Sequence, residues 1–133
     1  MTTFSLMSLV RNDHTQDTQN TKSLIQIYIG LNDMDTKIQK FETSKYLSVL
    51  KNVCISYQVP FSVNVIEGGY IHESGEYTME TSLVLSLIDV KKTIVEEIAR
   101  DLCTFFHQES VLITEDRLRT YFISNSRDLD PEE

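Results

Sequence analysis

Leu83-Val-Leu-Ser-Leu-Ile88 is nearly continuous apolar sequence. A run so short and so apolar is a strand covered on both faces, because a solvent-facing strand would alternate and an amphipathic helix would need more length. It therefore sits in the middle of a sheet. The rest of the chain must supply flanking strands and at least one covering layer, which excludes an all-helical bundle and an extended or fibrous chain.

The other segments fit that demand. Leu24-Ile-Gln-Ile-Tyr-Ile-Gly30 has strand composition on both faces and stops at Gly30 and Asn32-Asp33. From about Thr43, where Thr43 or Ser44 can cap free backbone N–H groups, apolar residues recur at helical spacing: Tyr46, Leu47, Leu50, Val53, Cys54 and Tyr57, with Pro60 beyond the end. Phe61–Ile66 alternates with period two. Gly68-Gly69 predicts a bulge or bend, Tyr70-Ile71 resumes extended character, and Glu73–Glu76 is the turn into a strand running from Tyr77 to Ile88. Asp89 is a candidate cap for a second helix whose stripe is Ile94, Ile98, Leu102, Phe105 and Phe106, with Glu96 and Glu97 facing solvent. Val111–Thr114 and Arg119–Ile123 supply a last strand, bent at Glu115–Arg117.

The order β-α-β-β-α-β predicts an α+β, ferredoxin-like sandwich, with a four-stranded antiparallel sheet and two helices on one face. The first and third strands are central in that topology, and both read as apolar on two sides. The second sheet face then lacks a cover. Homodimerisation through this open face is the expectation, with the apolar N-terminal residues Phe4 to Val10 as the alternative cover. The domain is expected over 23–124, preceded by a partly flexible arm at 1–22 and followed by a disordered acidic tail at 125–133.

Charge narrows the partners. Twelve Lys and Arg against twenty Asp and Glu give a net charge of −8, which repels phosphate backbones and anionic membranes and suits a basic protein surface. No export signal or membrane-length apolar run is present, so a cytoplasmic location is expected. Cys54 and Cys103 lie on apolar helix faces without redox or zinc spacing and read as core thiols.

Ile27-Tyr-Ile-Gly30, Gly69-Tyr70, Glu80 and above all Phe106-His-Gln-Glu-Ser-Val111 resemble an uncharacterised bacterial family, the domain of unknown function numbered thirty-five seventy-four. The resemblance runs from Ile27 to Ile123. It implies the same fold and brings no established activity. This chain has Tyr70 where that family tends to have Trp.

No catalytic, metal or cofactor signature is present. The serines lie outside any nucleophile elbow, Gly68-Gly69 lacks the further glycines and Lys of a phosphate loop, and His14 and His107 enter no recognisable arrangement. Tyr70, His72 and Glu80 can share one strand face. Glu109, in Gln108-Glu109-Ser110, is read as sitting at a helix end where the dipole disfavours a carboxylate, so Arg119 or the Tyr70 hydroxyl is expected to compensate it. The candidate binding residues are therefore Tyr70, His72, Glu80, Gln108, Glu109 and Arg119. They predict a noncatalytic binding or regulatory module acting as a homodimer. The alternatives are an acidic phage or mobile-element inhibitor of a host nuclease or defence protein, and a small enzyme using His72 with a carboxylate.

Overall fold

The computed structural model describes residues 21–125. Its elements are β1 (Thr21–Gly30), α1 (Thr43–Ser56), β2 (Ser62–Ile71), β3 (Tyr77–Ile88), α2 (Lys92–Phe106) and β4 (Leu112–Arg119), in one sheet of order β2-β3-β1-β4. β3 pairs antiparallel with both β1 and β2. This is the expected ferredoxin-like arrangement, and β1 and β3 occupy the middle as their apolar runs require. The expected arm, apart from Thr21 and Lys22, and the tail beyond 125 lie outside the described residues. No helix among the described residues is long and apolar enough to cross a membrane.

The described residues divide into two units, one of Ser23–Asp116 and one that joins Thr21 and Lys22 with Arg117–Asn125. Within the second, Arg117 Nη2 donates to Thr21 Oγ1 at 3.0 Å. The core and the site described below lie in the first.

Strand alternation decides the core. Ile25, Ile27 and Ile29 of β1 lie opposite Leu87, Leu85 and Leu83 of β3, and all six are buried beneath α1 and α2. α1 contributes Tyr46, Leu50, Val53 and Cys54, much as its spacing predicts. Tyr57, beyond its end, donates its hydroxyl to Asp101 of α2 at 2.7 Å. That bond, together with burial, pushes the phenol up to about 12. Both cysteines are free thiols. Burial raises Cys54 to about 11 and Cys103 in the same direction, the opposite of an activated nucleophile.

Four details depart from the sequence reading. Gly68 and Gly69 pair in unbroken register with Glu80 and Met79, so there is no bulge. β4 is one strand through Glu115–Arg117, because its residues extend along a sheet edge where polar side chains are tolerated. Asp89 has φ +61° and does not cap α2, which starts three residues later with no side-chain bond at its N-cap; Glu42 at the N-cap of α1 makes none either. The buried stripe of α2 is accordingly Val95, Ile98, Ala99, Leu102 and Phe106, and Phe105 is 61% exposed.

The face away from the helices is not the bare apolar surface expected of it. Gln26 Nε2 donates to Ser86 Oγ at 3.1 Å and the Tyr28 hydroxyl to Gln26 Oε1 at 3.4 Å, so this face carries a polar ladder around Val84. Exposed apolar side chains gather instead on the β2–β3 hairpin. β1 covers β3 only over Ser82–Ile88, whereas β2 stays paired to Ile71↔Tyr77, so the hairpin overhangs. Tyr70, Ile71, Tyr77 and Met79 are exposed there.

The register of α2 sets a stability contrast. Phe106→Ala is expected to cost about 3–5 kcal/mol in denaturant unfolding. Phe105→Ala should stay within about 0.5 kcal/mol of the parent. Equal losses would contradict this helix orientation.

Candidate ligand-binding site

Where β1 ends, the backbone of Asn32 is held on both sides. Its N–H donates to Glu80 Oε2 at 2.9 Å, and its carbonyl accepts from Gln108 Nε2 at 2.6 Å. Its own amide reaches the Met79 carbonyl at 3.4 Å. One residue thus ties β3 and the segment after α2 to the end of the central strand.

Gly30 makes room for this: a Cβ there would collide with the Glu80 carboxylate as it folds back over β1 to reach Asn32, so any other residue would make that side chain shift. At Gly68, paired with Glu80, a Cβ would meet nothing and would project into open space. That space is a groove of about 150 Å³, lined by Asn32, Gln39, Glu67, Gly68, Met79, Glu80 and Thr81. It carries two carboxylates and no basic residue.

On the other side of the same junction lies Asp33, which is 4% exposed. Its Oδ1 accepts from the backbone N–H groups of Asp35 (2.8 Å) and Thr36 (3.0 Å), closing the turn after β1. Its Oδ2 lies 2.6 Å from His107 Nδ1 and 3.3 Å from Lys40 Nζ. These donors, the His107 ring first, hold the Asp33 carboxyl well below its ordinary value of 3.8.

His107 closes α2 in the left-handed region at φ 55°, a position that usually takes glycine. Its N–H and that of Gln108 bond back to Thr104 and Cys103, and its carbonyl accepts from the Met34 N–H at 3.1 Å. The backbone cost of a side chain there, on the order of 1 kcal/mol, is offset by placing an imidazole on a buried carboxylate. His107 Nε2 also lies 3.5 Å from Asp35 Oδ2. Asp33, Asp35 and His107 fall within the 4.8 Å that a metal ion would need. However, Asp33 Oδ2 is already engaged by His107 Nδ1 and the Lys40 ammonium, so a cation on that oxygen would compete with both.

The six residues singled out from sequence do not form one site. Glu80 and Gln108 meet through Asn32. Tyr70 and His72 share the strand face of Gly68 and Glu80 farther out on the hairpin, with ring centroids 5.2 Å apart. His72 Nε2 engages Thr78 Oγ1 at 2.6 Å and no carboxylate. Glu109 lies three residues past the end of α2, exposed, with no hydrogen bond or ion pair among the described residues, so the helix dipole does not bear on it as expected. Arg119 ends β4, in the other compact unit. Sequence reasoning missed Gly30, Asn32, Asp33 and His107. Asp33 and His107 are 74 positions apart, and only the polar stop after β1 and the histidine at a helix end hinted at them.

No protein-family model matches the chain, and no curated protein sequence matches it. Solved structures do. A phage S-adenosylmethionine (SAM) lyase in complex with S-methyl-5'-thioadenosine matches with a TM-score of 0.56 at 19% identity, over 79% of this chain and 91% of that one. The same lyase in its apo state gives 0.56 at 17% identity, over 79% and 94%. The complex of GlnK from Bacillus subtilis with ATP gives 0.51 at 12% identity, over 75% and 84%. At these identities the likeness fixes the fold.

The Asp33 bonds give a pH signature. An unfolded Asp titrates near 4 and the folded one lower, so the stabilisation is complete above about pH 4 and is lost as pH falls below it. Melting temperature measured from pH 5 to pH 2 should fall more steeply for the parent than for Asp33→Asn. Parallel curves would contradict the role given to Asp33.

Proposed function

We propose that this protein binds S-adenosylmethionine, or a closely related adenosyl sulfonium, in the groove between Asn32, Gly68 and Glu80, and converts it to S-methyl-5'-thioadenosine as a lyase: the substrate's own carboxylate attacks its γ-carbon, the bond from that carbon to sulfur breaks with its electron pair going to sulfur, and homoserine lactone leaves. The observation that carries this reading is the charge of the groove. Of the three structural likenesses reported above, one is an apo state and the other two hold adenosine-containing molecules, one a neutral thioether and the other ATP. A groove with Glu67 and Glu80 and no Lys or Arg repels a triphosphate and attracts a sulfonium cation. Gly68 leaves bare backbone for a ligand to approach. Glu67 and Glu80 are also the groove residues that can take up a proton, which makes them the candidates for any acid–base step.

The assembly goes with this reading. The groove opens at the base of the overhanging hairpin, whose exposed Tyr70, Ile71, Tyr77 and Met79 suit burial against another copy. Self-association through the hairpin would narrow the groove, and His72 and Tyr70 would then face a neighbouring subunit. The resemblance of Phe106–Val111 to the domain of unknown function fits as well, since Gln108 of that stretch holds Asn32.

A noncatalytic binding module is the second reading, favoured by the small size of the groove and by His72 being held by a threonine rather than a carboxylate. Calorimetric titration with SAM and with ATP, followed by chromatography of the SAM mixture, separates the two. The lyase reading expects SAM to bind at least about tenfold tighter than ATP, methylthioadenosine to accumulate, and Glu80→Gln to abolish both. Binding without turnover supports the module. Equal affinity for ATP, or SAM binding that survives Glu80→Gln, refutes the proposal. Light scattering that gives a monomer mass refutes the assembly.

A further inference from the structure

A second hollow, of about 200 Å³, opens on the helix side of the Asn32–Asp33 junction between the start of α1 and the end of α2. Its wall is aromatic. Tyr46 packs edge-on against Phe106 with centroids 5.1 Å apart, Phe41 leans on Tyr46 at 6.0 Å, and Phe105 stands at the edge. Phe41 and Phe105 are 49% and 61% exposed, a large apolar area left uncovered in so small a domain.

The rim is cationic although the chain is strongly acidic. Lys45 Nζ lies 4.0 Å above the Phe41 ring, and Lys40 stands beside Asp33, whose charge Lys40 and His107 already answer. The hollow also holds an unused donor. Tyr46 is 7% exposed and lines the hollow, yet its hydroxyl has no hydrogen-bond partner among the described residues. A buried tyrosine hydroxyl normally has one.

We infer that this hollow is a binding site for a small aromatic carboxylate, with the ring against Phe41, Tyr46 and Phe105 and the carboxylate on the Lys45 ammonium, accepting from the Tyr46 hydroxyl. Each half of that ligand answers an observation. A flat ring covers the exposed aromatics, and an anion meets the Lys45 ammonium and the orphaned donor, Lys40 being engaged with Asp33. A phosphate ester without a ring leaves the aromatics bare, and a neutral ring leaves the donor and Lys45 unanswered. The inference does not rest on the adenosyl reading, because the hollow and the groove have no lining residue in common.

Chemical-shift titration of the full chain tests it with four probes: 2-naphthoate, its neutral amide 2-naphthamide, acetate and inorganic phosphate. Naphthoate is expected to shift resonances of residues 40–49 and 105–107 and to bind at least about tenfold tighter than the other three. Lys45→Met should weaken naphthoate by about tenfold. Tyr46→Phe should weaken it severalfold while leaving the melting temperature unchanged, since the hydroxyl has no hydrogen-bond partner among the described residues. Naphthamide or acetate binding as tightly as naphthoate overturns the inference, as does full affinity in Tyr46→Phe. Absence of binding at millimolar naphthoate, in a protein whose spectrum shows it folded, also overturns it.

Discussion

Asp33 is a carboxylate buried where the central strand of the sheet runs out, and a buried charge persists only if donors surround it. Here they come from three directions: the N–H groups of its own turn, the imidazole that closes α2, and a lysine from the approach to α1. The end of β1, the loop that follows it and the C-terminus of α2 are consequently one electrostatic unit. Asn32 depends on that unit, because its two backbone groups can be offered to Glu80 and Gln108 only if the chain turns at the next residue. The two concavities of the domain lie on either side of this junction, the groove lined by Asn32 and the hollow by Asp33.

The hollow and the groove differ in what they can attract. The groove is acidic and polar, with a glycine that leaves backbone accessible. The hollow is aromatic with a basic rim. A chain with a charge of −8 has a general preference for cations, and the groove follows it. The hollow runs against that preference, since Lys40 is spent on Asp33 and the Lys45 ammonium has no carboxylate beside it among the described residues.

The sequence revealed the fold because the fold rests on periodicity. The Leu83–Ile88 run, the alternation after Phe61 and the α1 stripe each name their element; burial agrees for β3 and α1, whereas β2 is exposed apart from Val63. Errors arose where backbone geometry decides the outcome. Asp89 looks like a cap but takes a left-handed conformation outside α2, and of the two phenylalanines assigned to the buried stripe only Phe106 reaches inward. The candidate site was only half legible. Glu80 and Gln108 could be singled out as polar residues in odd positions. Their shared target could not, because it is the main chain of Asn32, and main-chain groups leave no mark in a sequence. The Asp33–His107 pair was hidden for a related reason, since the residue that completes it stands where a glycine would be read as ordinary and a histidine as a loop residue.

Gly30 and Glu80 have one further consequence. The carboxylate occupies the volume that a side chain at position 30 would need. The two positions are therefore coupled: with Glu80 placed as it is on Asn32, a side chain at position 30 would push the carboxylate away, and once Glu80 is shortened that coupling disappears. In a set of descendants of this chain, glycine at 30 should travel with glutamate at 80. Lineages that keep the fold but abandon the groove should be recognisable by a β-branched residue appearing at the end of β1, where the strand would otherwise prefer one.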